Sequence, residues 1–268
     1  MKGRVLIIAG SDSGGGAGIQ ADIKTVTALQ GYAATAITAL TAQNTQGVHG
    51  VFGVDPDFIA QQIQVVLQDI GADSLKTGML HSPAVIETVA RELQDYFKKI
   101  PLILDPVMVA QSGANLLEPE AVENLKNMLL PLADILTPNV PEAEKLTGMQ
   151  IVSPEQMQVA ARSLLEMGPR SVLLKGGHLE GEILYDVLAT PEGVEVFSDM
   201  RIDTRQTHGT GCTLASAIAT GLAQGLTRSQ AVARARAYLQ RALKTAPGYG
   251  QGEGGVDHAH TVGAFQLN

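Results

Sequence analysis

Residues 5–31 read VLIIAGSDSGGGAGIQADIKTVTALQG. The first five are a short, unbroken apolar run and read as a buried strand. Residues 10–18 are rich in glycine, which lets a backbone come close to a ligand and expose its amide N–H groups. Residues 19–30 then read as a helix, with Gly31 just past its end as the C-cap.

The same alternation repeats outward. ATAITAL at 34–40 is the next strand. Asp55 and Pro56 supply an N-cap and a first-turn proline, and Ile59, Ile63, Val66 and Ile70 recur behind them at helical spacing. SLKTGM at 74–79 is a strand, and Ser82-Pro83 starts another helix. PLILD at 101–105 and DILTPN at 134–139 are strands ending in polar residues. Ser153-Pro154 opens a helix to Gly168, and SVLLKGG at 171–177 is again a buried strand. ILYDVLAT at 183–190 and VEVFS at 194–198 flank Pro191-Glu192-Gly193 and predict a hairpin. Two helices follow, one over 210–224 and one from Thr227 with Val232, Ala235, Leu239 and Ala242 on one face. No repeat or linker interrupts the pattern. It predicts one domain over 1–268, a mostly parallel sheet with helices on both faces. Such sheets bind ligands at the carboxyl ends of their strands, where the polar punctuation falls.

Composition narrows the function. Hydrophobic residues are 45% of the 268, enough for a sizeable core. Aromatics are 4% and Trp is absent, so that core falls to Val, Ile, Leu, Ala and Met. A net charge of −8 with no basic stripe argues against nucleic acid and anionic membranes, while a local cationic pocket stays open. Cys212 is the single cysteine, so no internal disulfide forms and a cytoplasmic location is expected. The apolar run after Met1-Lys2-Gly3-Arg4 is too short for a signal peptide. No apolar stretch reaches the roughly 18 residues of a membrane span.

Four segments carry chemistry. The glycine-rich turn at 10–18 is not a P-loop, since no Gly-Lys-Ser/Thr follows, and it does not fit G-x-G-x-x-G in register. It is either a ligand cradle or a flexible turn. Thr207-His208-Gly209-Thr210-Gly211-Cys212 opens an Ala-rich helix and predicts an anion hole at the positive end of the helix dipole. Cys212 on that first turn is expected to have a lowered pKa, or else to be a small packed residue. Asp105, Asn139 and Glu142 stand at strand ends, where oxygen donors suit Mg²⁺ or simply cap a helix. Lys175, before Gly176 and Gly177, reaches nucleotide phosphates or sits on the surface. His258 and His260 show no metal-ligand spacing and are expected to be solvated.

Seven ordered stretches together resemble the ribokinase-like superfamily, and within it the hydroxymethylpyrimidine/phosphomethylpyrimidine kinases of thiamine biosynthesis. They are AGSDSGGGAGIQADIKT at 9–25, TALTAQNTQGV at 38–48, KTGML at 76–80, LDPVM at 104–108, TPNVPEAE at 137–144, LLKGGH at 173–178 and THGTGC at 207–212. Residues 248–260, GYGQGEGGVDHAH, are less distinctive.

The resemblance implies a three-layer αβα sandwich with a mainly parallel central sheet and a homodimer. It implies that ATP phosphorylates 4-amino-5-hydroxymethyl-2-methylpyrimidine and then its monophosphate. It implies that Gln43 contacts the pyrimidine, with Gly10, Ala17, Met79 and Val107 lining the pocket. Lys175, Asn139, Glu142 and Thr207 would serve the nucleotide, and Asp105 and Glu142 would act around Mg²⁺. Gly209, Thr210 and Gly211 would cradle the transferring phosphate, with Cys212 near the acceptor oxygen. A Cys212 thiolate would then take the alcohol proton in the first step and be idle in the second. Two rivals remain: a pyridoxal kinase of the same fold, and a non-catalytic metabolite-binding protein.

Overall fold

The apolar run near the N-terminus becomes an inner strand of a nine-stranded sheet. The computed structural model describes residues 2–109, 113, 116–118 and 120–264. Its strands are β1 (Arg4–Asp12), β2 (Tyr32–Asn44), β3 (Gly47–Gly53), β4 (Ser74–Thr77), β5 (Leu102–Leu104), β6 (Ile135–Leu136), β7 (Val172–Lys175), β8 (Ile183–Thr190) and β9 (Gly193–Met200). The helices are α1 (Gly18–Ala28), α2 (Pro56–Asp69), α3 (Pro83–Leu93), α4 (Ala121–Asn124), α5 (Val140–Thr147), α6 (Pro154–Leu165), α7 (Thr210–Ala223) and α8 (Arg228–Lys244). A π turn and a 3₁₀ turn extend α4 to Leu132.

The strand order is β3-β2-β1-β4-β5-β6-β7-β8-β9. The six strands from β2 to β7 run parallel, and β3, β8 and β9 add antiparallel edges. Alternate residues of the inner strands serve opposite faces, as a period of two requires. Leu6, Ile8, Leu75, Leu102 and Leu104 pack under α2, α3 and α6 through Ile59, Ile86 and Leu164. Val5, Ile7, Ile103 and Leu173 pack on the other face under α1, α7 and α8, against Val26, Ile218 and Val232. Helices on both faces of a mainly parallel sheet make the α/β sandwich expected.

Local chemistry sets the helix starts. Asp55 accepts from the amides of Asp57 and Phe58, Ser82 from Val85 and Ser153 from Gln156, each just before a first-turn proline. Thr227 and Gln230 form a capping box at α8. Between α7 and α8 the small residues have a steric reason. A Cβ on Gly221 would lie 2.8 Å from that of Ala231.

Three expectations need correction. Gly31 is not the left-handed cap of α1; Gln30 takes that conformation at φ 65°. Gly31 follows it, donating to the Val26 carbonyl at 2.8 Å, and is glycine because a Cβ there would press on Val26 and Thr220. The segment at 10–18 is also less loose than its glycines suggested, since β1 runs on to Asp12 and α1 begins at Gly18. His258 is not solvated. It is buried under α7, 3.0 Å from Thr213 Oγ1, and burial pushes its pKa down to about 4. His260 lies against the Tyr238 ring and 3.0 Å from the Tyr238 carbonyl.

Candidate active site

The strand ends of β1, β4, β5, β6 and β7 converge with the α7 N-terminus on a cleft of about 460 Å³. Gly10, Ala17, Gln43, Met79 and Val107 line one part of it. Asp105, Asn139, Glu142 and Lys175 line another, and Gly209, Thr210, Gly211 and Cys212 lie between. Of the residues that the resemblance assigned roles, Thr207 alone falls outside this lining, one position before His208.

At the centre, Gly209 caps α7 in a left-handed conformation at φ 77°. No side chain caps the helix; the Thr210 amide donates to the Thr207 carbonyl at 3.3 Å, and Gly211 and Cys212 border the cleft at the positive end of the dipole. Gly209 has a steric reason too, because a Cβ would collide with the Gly16 carbonyl. A Cβ on Gly211 would lie 3.3 Å from Lys175 Nζ and 3.7 Å from Asp105 Oδ2. Helix end, cation and carboxylate thus meet at one point.

Lys175 donates to Asp105 Oδ1 at 2.9 Å, and Thr137 Oγ1 donates to the same oxygen at 3.0 Å. Lys175 is mostly buried rather than a surface lysine. Burial opposes its charge, but Asp105 and Glu142 outweigh it and hold the ammonium protonated. Asn139 and Glu142 do form a capping box on α5, each side chain bonding the other's amide at 2.8 Å. Capping and cleft lining are therefore the same arrangement. Burial, with Asp105 adding repulsion, pushes Glu142 up to about 7 against the pull of Lys175.

Among the described residues no three His, Cys, Asp or Glu side chains form a metal cage. Mg²⁺ does not require one, since it takes one or two carboxylates and completes its shell with phosphate and water. Asp105 fits that demand: Oδ1 is occupied by Lys175 and Thr137, and Oδ2 is turned toward Gly211. Glu142 lines the same wall.

The turn after β1 departs from its sequence reading. Asp12 accepts from Gly14 at 2.8 Å through Oδ1, and from Gly16 at 3.0 Å and Ala17 at 2.8 Å through Oδ2. These amides serve their own carboxylate and are not free for a ligand. Asp12 also bonds His208 Nε2 at 2.9 Å. Burial raises its pKa, but His208 and the Ala17 and Gly14 amides outweigh this and keep it ionised. Gln43 has its side-chain amide 3.1 Å from Thr41 Oγ1 and 3.3 Å from His208 Nε2.

Cys212 differs as well. Burial pushes its thiol up to about 11, although Lys76 and the Gly18 amide pull the other way. The helix dipole is outmatched by burial, although Cys212 is only partly covered and borders the cleft. Sequence reasoning also missed Lys76, which is fully buried yet borders the cleft. Its Nζ bonds both Asp22 oxygens at 2.9 Å, and Ser216 donates to Asp22 Oδ1 at 2.6 Å. Burial opposes the Lys76 charge, and Asp22 holds it in place. Only the apolar strand around Lys76 marked it, since a lysine in such a run needs a buried partner.

Residues 250–255 pack against Thr45, His208 and Gly16. The Glu253 amide donates to the Thr45 carbonyl at 2.9 Å, and the His208 amide to the Gly254 carbonyl at 3.1 Å. A Cβ on Gly252 would collide with the Thr45 carbonyl, and one on Gly255 would lie 3.1 Å from Gly16 Cα. A less distinctive stretch of the sequence therefore joins the His208 turn to the segments around Thr45 and Gly16.

With this geometry in place, comparison with known proteins is informative. A family model described as phosphomethylpyrimidine kinase matches residues 12–257. A hydroxymethylpyrimidine/phosphomethylpyrimidine kinase of Bacillus subtilis is 46% identical over 257 residues, covering 95% of this chain and 94% of that one. A thiamine biosynthesis bifunctional protein of Geobacter sulfurreducens is 52% identical over 96% of this chain, which spans 52% of its length. The crystal structure of a phosphomethylpyrimidine kinase from Clostridium difficile 630 superposes with a TM-score of 0.80 at 44% identity, covering 90% of this chain and 99% of that one. An ADP complex of Bacillus subtilis pyridoxal kinase gives a TM-score of 0.88 at 36% identity, covering 97% and 98%. The chain belongs to the phosphomethylpyrimidine kinase family.

Proposed function

We propose that this chain transfers a phosphoryl group from ATP to the hydroxymethyl group of 4-amino-5-hydroxymethyl-2-methylpyrimidine, and then a second to the monophosphate so formed. The observation that carries this reading is the meeting of the uncapped α7 N-terminus with Lys175 and Asp105 on one side and Gln43 on the other. A phosphoryl group in flight needs positive charge and amide donors around it and an acceptor held in line. The family and the names of its 43–52% identical relatives support the same reading.

The residues divide the work by position. The Gly211 and Cys212 amides at the α7 N-terminus receive the charge of the transferring group. Lys175 binds nucleotide phosphate from the cleft wall, where Asp105 holds its ammonium. Asp105 and Glu142 would hold Mg²⁺, which would neutralise charge on the nucleotide phosphates. Met79 and Val107 give the ring an apolar wall beside Gly10, where a Cβ would come 3.1 Å from Met79 Sδ. Cys212 keeps its proton at neutral pH, so it shapes the acceptor site instead of acting as a base. Phosphoryl transfer tolerates this, since its loose transition state leaves the protein mainly positioning and charge stabilisation to perform.

The fit of pyridoxal kinases at a TM-score of 0.88 favours pyridoxal as a second substrate. Both readings are tested by following ATP turnover with the pyrimidine alcohol, its monophosphate and pyridoxal side by side. Turnover with pyridoxal alone would overturn the first reading, and turnover with none would overturn both. Leu40, Val51, Phe52 and Phe58 are exposed on β2, β3 and α2, an apolar face that supports a homodimer. Light scattering that gives a monomer mass would refute it. No helix among the described residues is long and apolar enough to cross a membrane, in keeping with work in the cytoplasm.

A further inference from the structure

The loop between β7 and β8 carries Gly177 and His178 past the cleft, and little packing holds it. Gly177, His178, Glu180, Gly181 and Glu182 are all exposed. Its start is fixed on β8, where the Gly176 amide donates to Asp186 Oδ1 at 2.9 Å and a Cβ on Gly176 would collide with the Tyr185 carbonyl. Beyond that, one turn bond joins the Leu179 amide to the Gly176 carbonyl at 3.0 Å. The rest is held by a single residue. Arg201, just past the end of β9, donates from Nη1 to the Gly177 carbonyl at 2.8 Å, from Nη2 to the Leu179 carbonyl at 2.5 Å and from Nε to the Gly181 carbonyl at 2.8 Å. Its own amide donates to the Glu182 carbonyl at 2.8 Å.

Carbonyls from alternate residues of the loop thus converge on one guanidinium. A lysine could not gather them, because a single ammonium does not span such a fork. In a trans peptide the next N–H points opposite to the carbonyl, so the His178 amide faces away from Arg201. Among the described residues no carbonyl takes that amide. His178 lines the cleft with Lys175, whereas Arg201 does not border it. The guanidinium therefore grips the loop from behind. It draws away carbonyl oxygens that would repel a phosphate and leaves N–H groups on the side where Lys175 stands.

We infer that Arg201 is a positioning residue for the nucleotide, setting the 176–182 loop so that the His178 amide and ring meet the ATP phosphates beside Lys175. The inference rests on the reading of the chain as an ATP-dependent kinase and goes past it, since Arg201 lies outside the cleft lining and acts only through the loop.

Calorimetric Kd values on the full chain, for the β,γ-methylene analogue of ATP and for the pyrimidine alcohol, test it. A loop that is seldom in its binding form weakens affinity by the fraction lost, so Arg201→Ala should raise the nucleotide Kd about tenfold to a hundredfold. The pyrimidine Kd and the unfolding midpoint should stay near wild type. Arg201→Lys keeps the charge but cannot fork, so it should behave like Arg201→Ala, and it carries the same test should Arg201→Ala fail to fold. His178→Ala should also weaken the nucleotide, and combined with Arg201→Ala it should cost less than the product of the two single effects. An unchanged nucleotide Kd, or an equal loss for both ligands, would overturn the inference and leave the kinase reading standing. Full rescue by Arg201→Lys, or strictly additive effects with His178→Ala, would overturn it as well. A wild type that does not bind the nucleotide analogue would remove the kinase reading and this inference with it.

Discussion

Cys212 stands on the first turn of α7 with its thiol protonated at neutral pH. The thiolate is the reactive form, and at a pKa of about 11 roughly a thousandth of it is present at pH 8. Alkylation by iodoacetamide should therefore be slow at pH 8 and rise about tenfold per pH unit toward pH 10. A rate already level by pH 8 would mean a thiolate. The same protonation bears on chemistry. Cys212→Ser should slow the two phosphorylations by a similar factor, below about tenfold, because positioning dominates both. A loss of about 10²–10⁴ confined to the alcohol step would restore a base at this position. Gly211 gives a sharper contrast. Gly211→Val would push into Lys175 and Asp105, so turnover should vanish while circular dichroism and the unfolding midpoint stay near wild type. Near-normal kcat in a folded Gly211→Val would remove the α7 N-terminus from the reaction.

Elements with a strong local signature were legible in the sequence. Asp55, Ser82 and Ser153 each preceded a proline and an apolar face, and each does cap a helix. β3 was missed because its seven residues GVHGVFG are half-buried or exposed, so no buried face imposes alternation on them. α4 was missed because four α-helical residues give no period to detect, and its continuation changes to π and 3₁₀ turns. The end of α1 was misread for a different reason. A glycine after a helix suggests a left-handed cap, but here Gln30 bears that strain and Gly31 bears a steric demand from α7. Two substitutions separate these causes. Gln30→Gly should be neutral or stabilise by up to about 1 kcal/mol, since it relieves a left-handed non-glycine residue. Gly31→Ala should cost about 1–3 kcal/mol through overpacking. Urea unfolding measures both, and the reverse order would return the cap to Gly31.

At the scale of the whole molecule, the site joins residues from Ala9 to Cys212, and most of its lining was legible because strand ends carry polar residues in a parallel sheet. What could not be read were pairings across long separations. Asp12 and His208 are 196 residues apart, and neither is unusual for its own turn. Gly252 and Gly255 lie in a stretch the sequence marks as less distinctive, although they press against Thr45 and Gly16. Gly252→Val should therefore lower the melting temperature and raise the KM for the pyrimidine more than that for ATP. Equal effects on both would leave the segment a purely structural part. Lys76 and Asp22 belong to the same class of long-range pairs, with both side chains fully buried. Lys76→Met should cost about 3–5 kcal/mol by stranding a carboxylate, and adding Asp22→Leu should recover most of it. The ancestry of the chain inherits a constraint from this. Each single step away from the pair crosses a stability valley, although the far side is level ground. Two positions 54 residues apart should therefore pass through descent as one character, kept together or exchanged together, whatever catalysis asks of them.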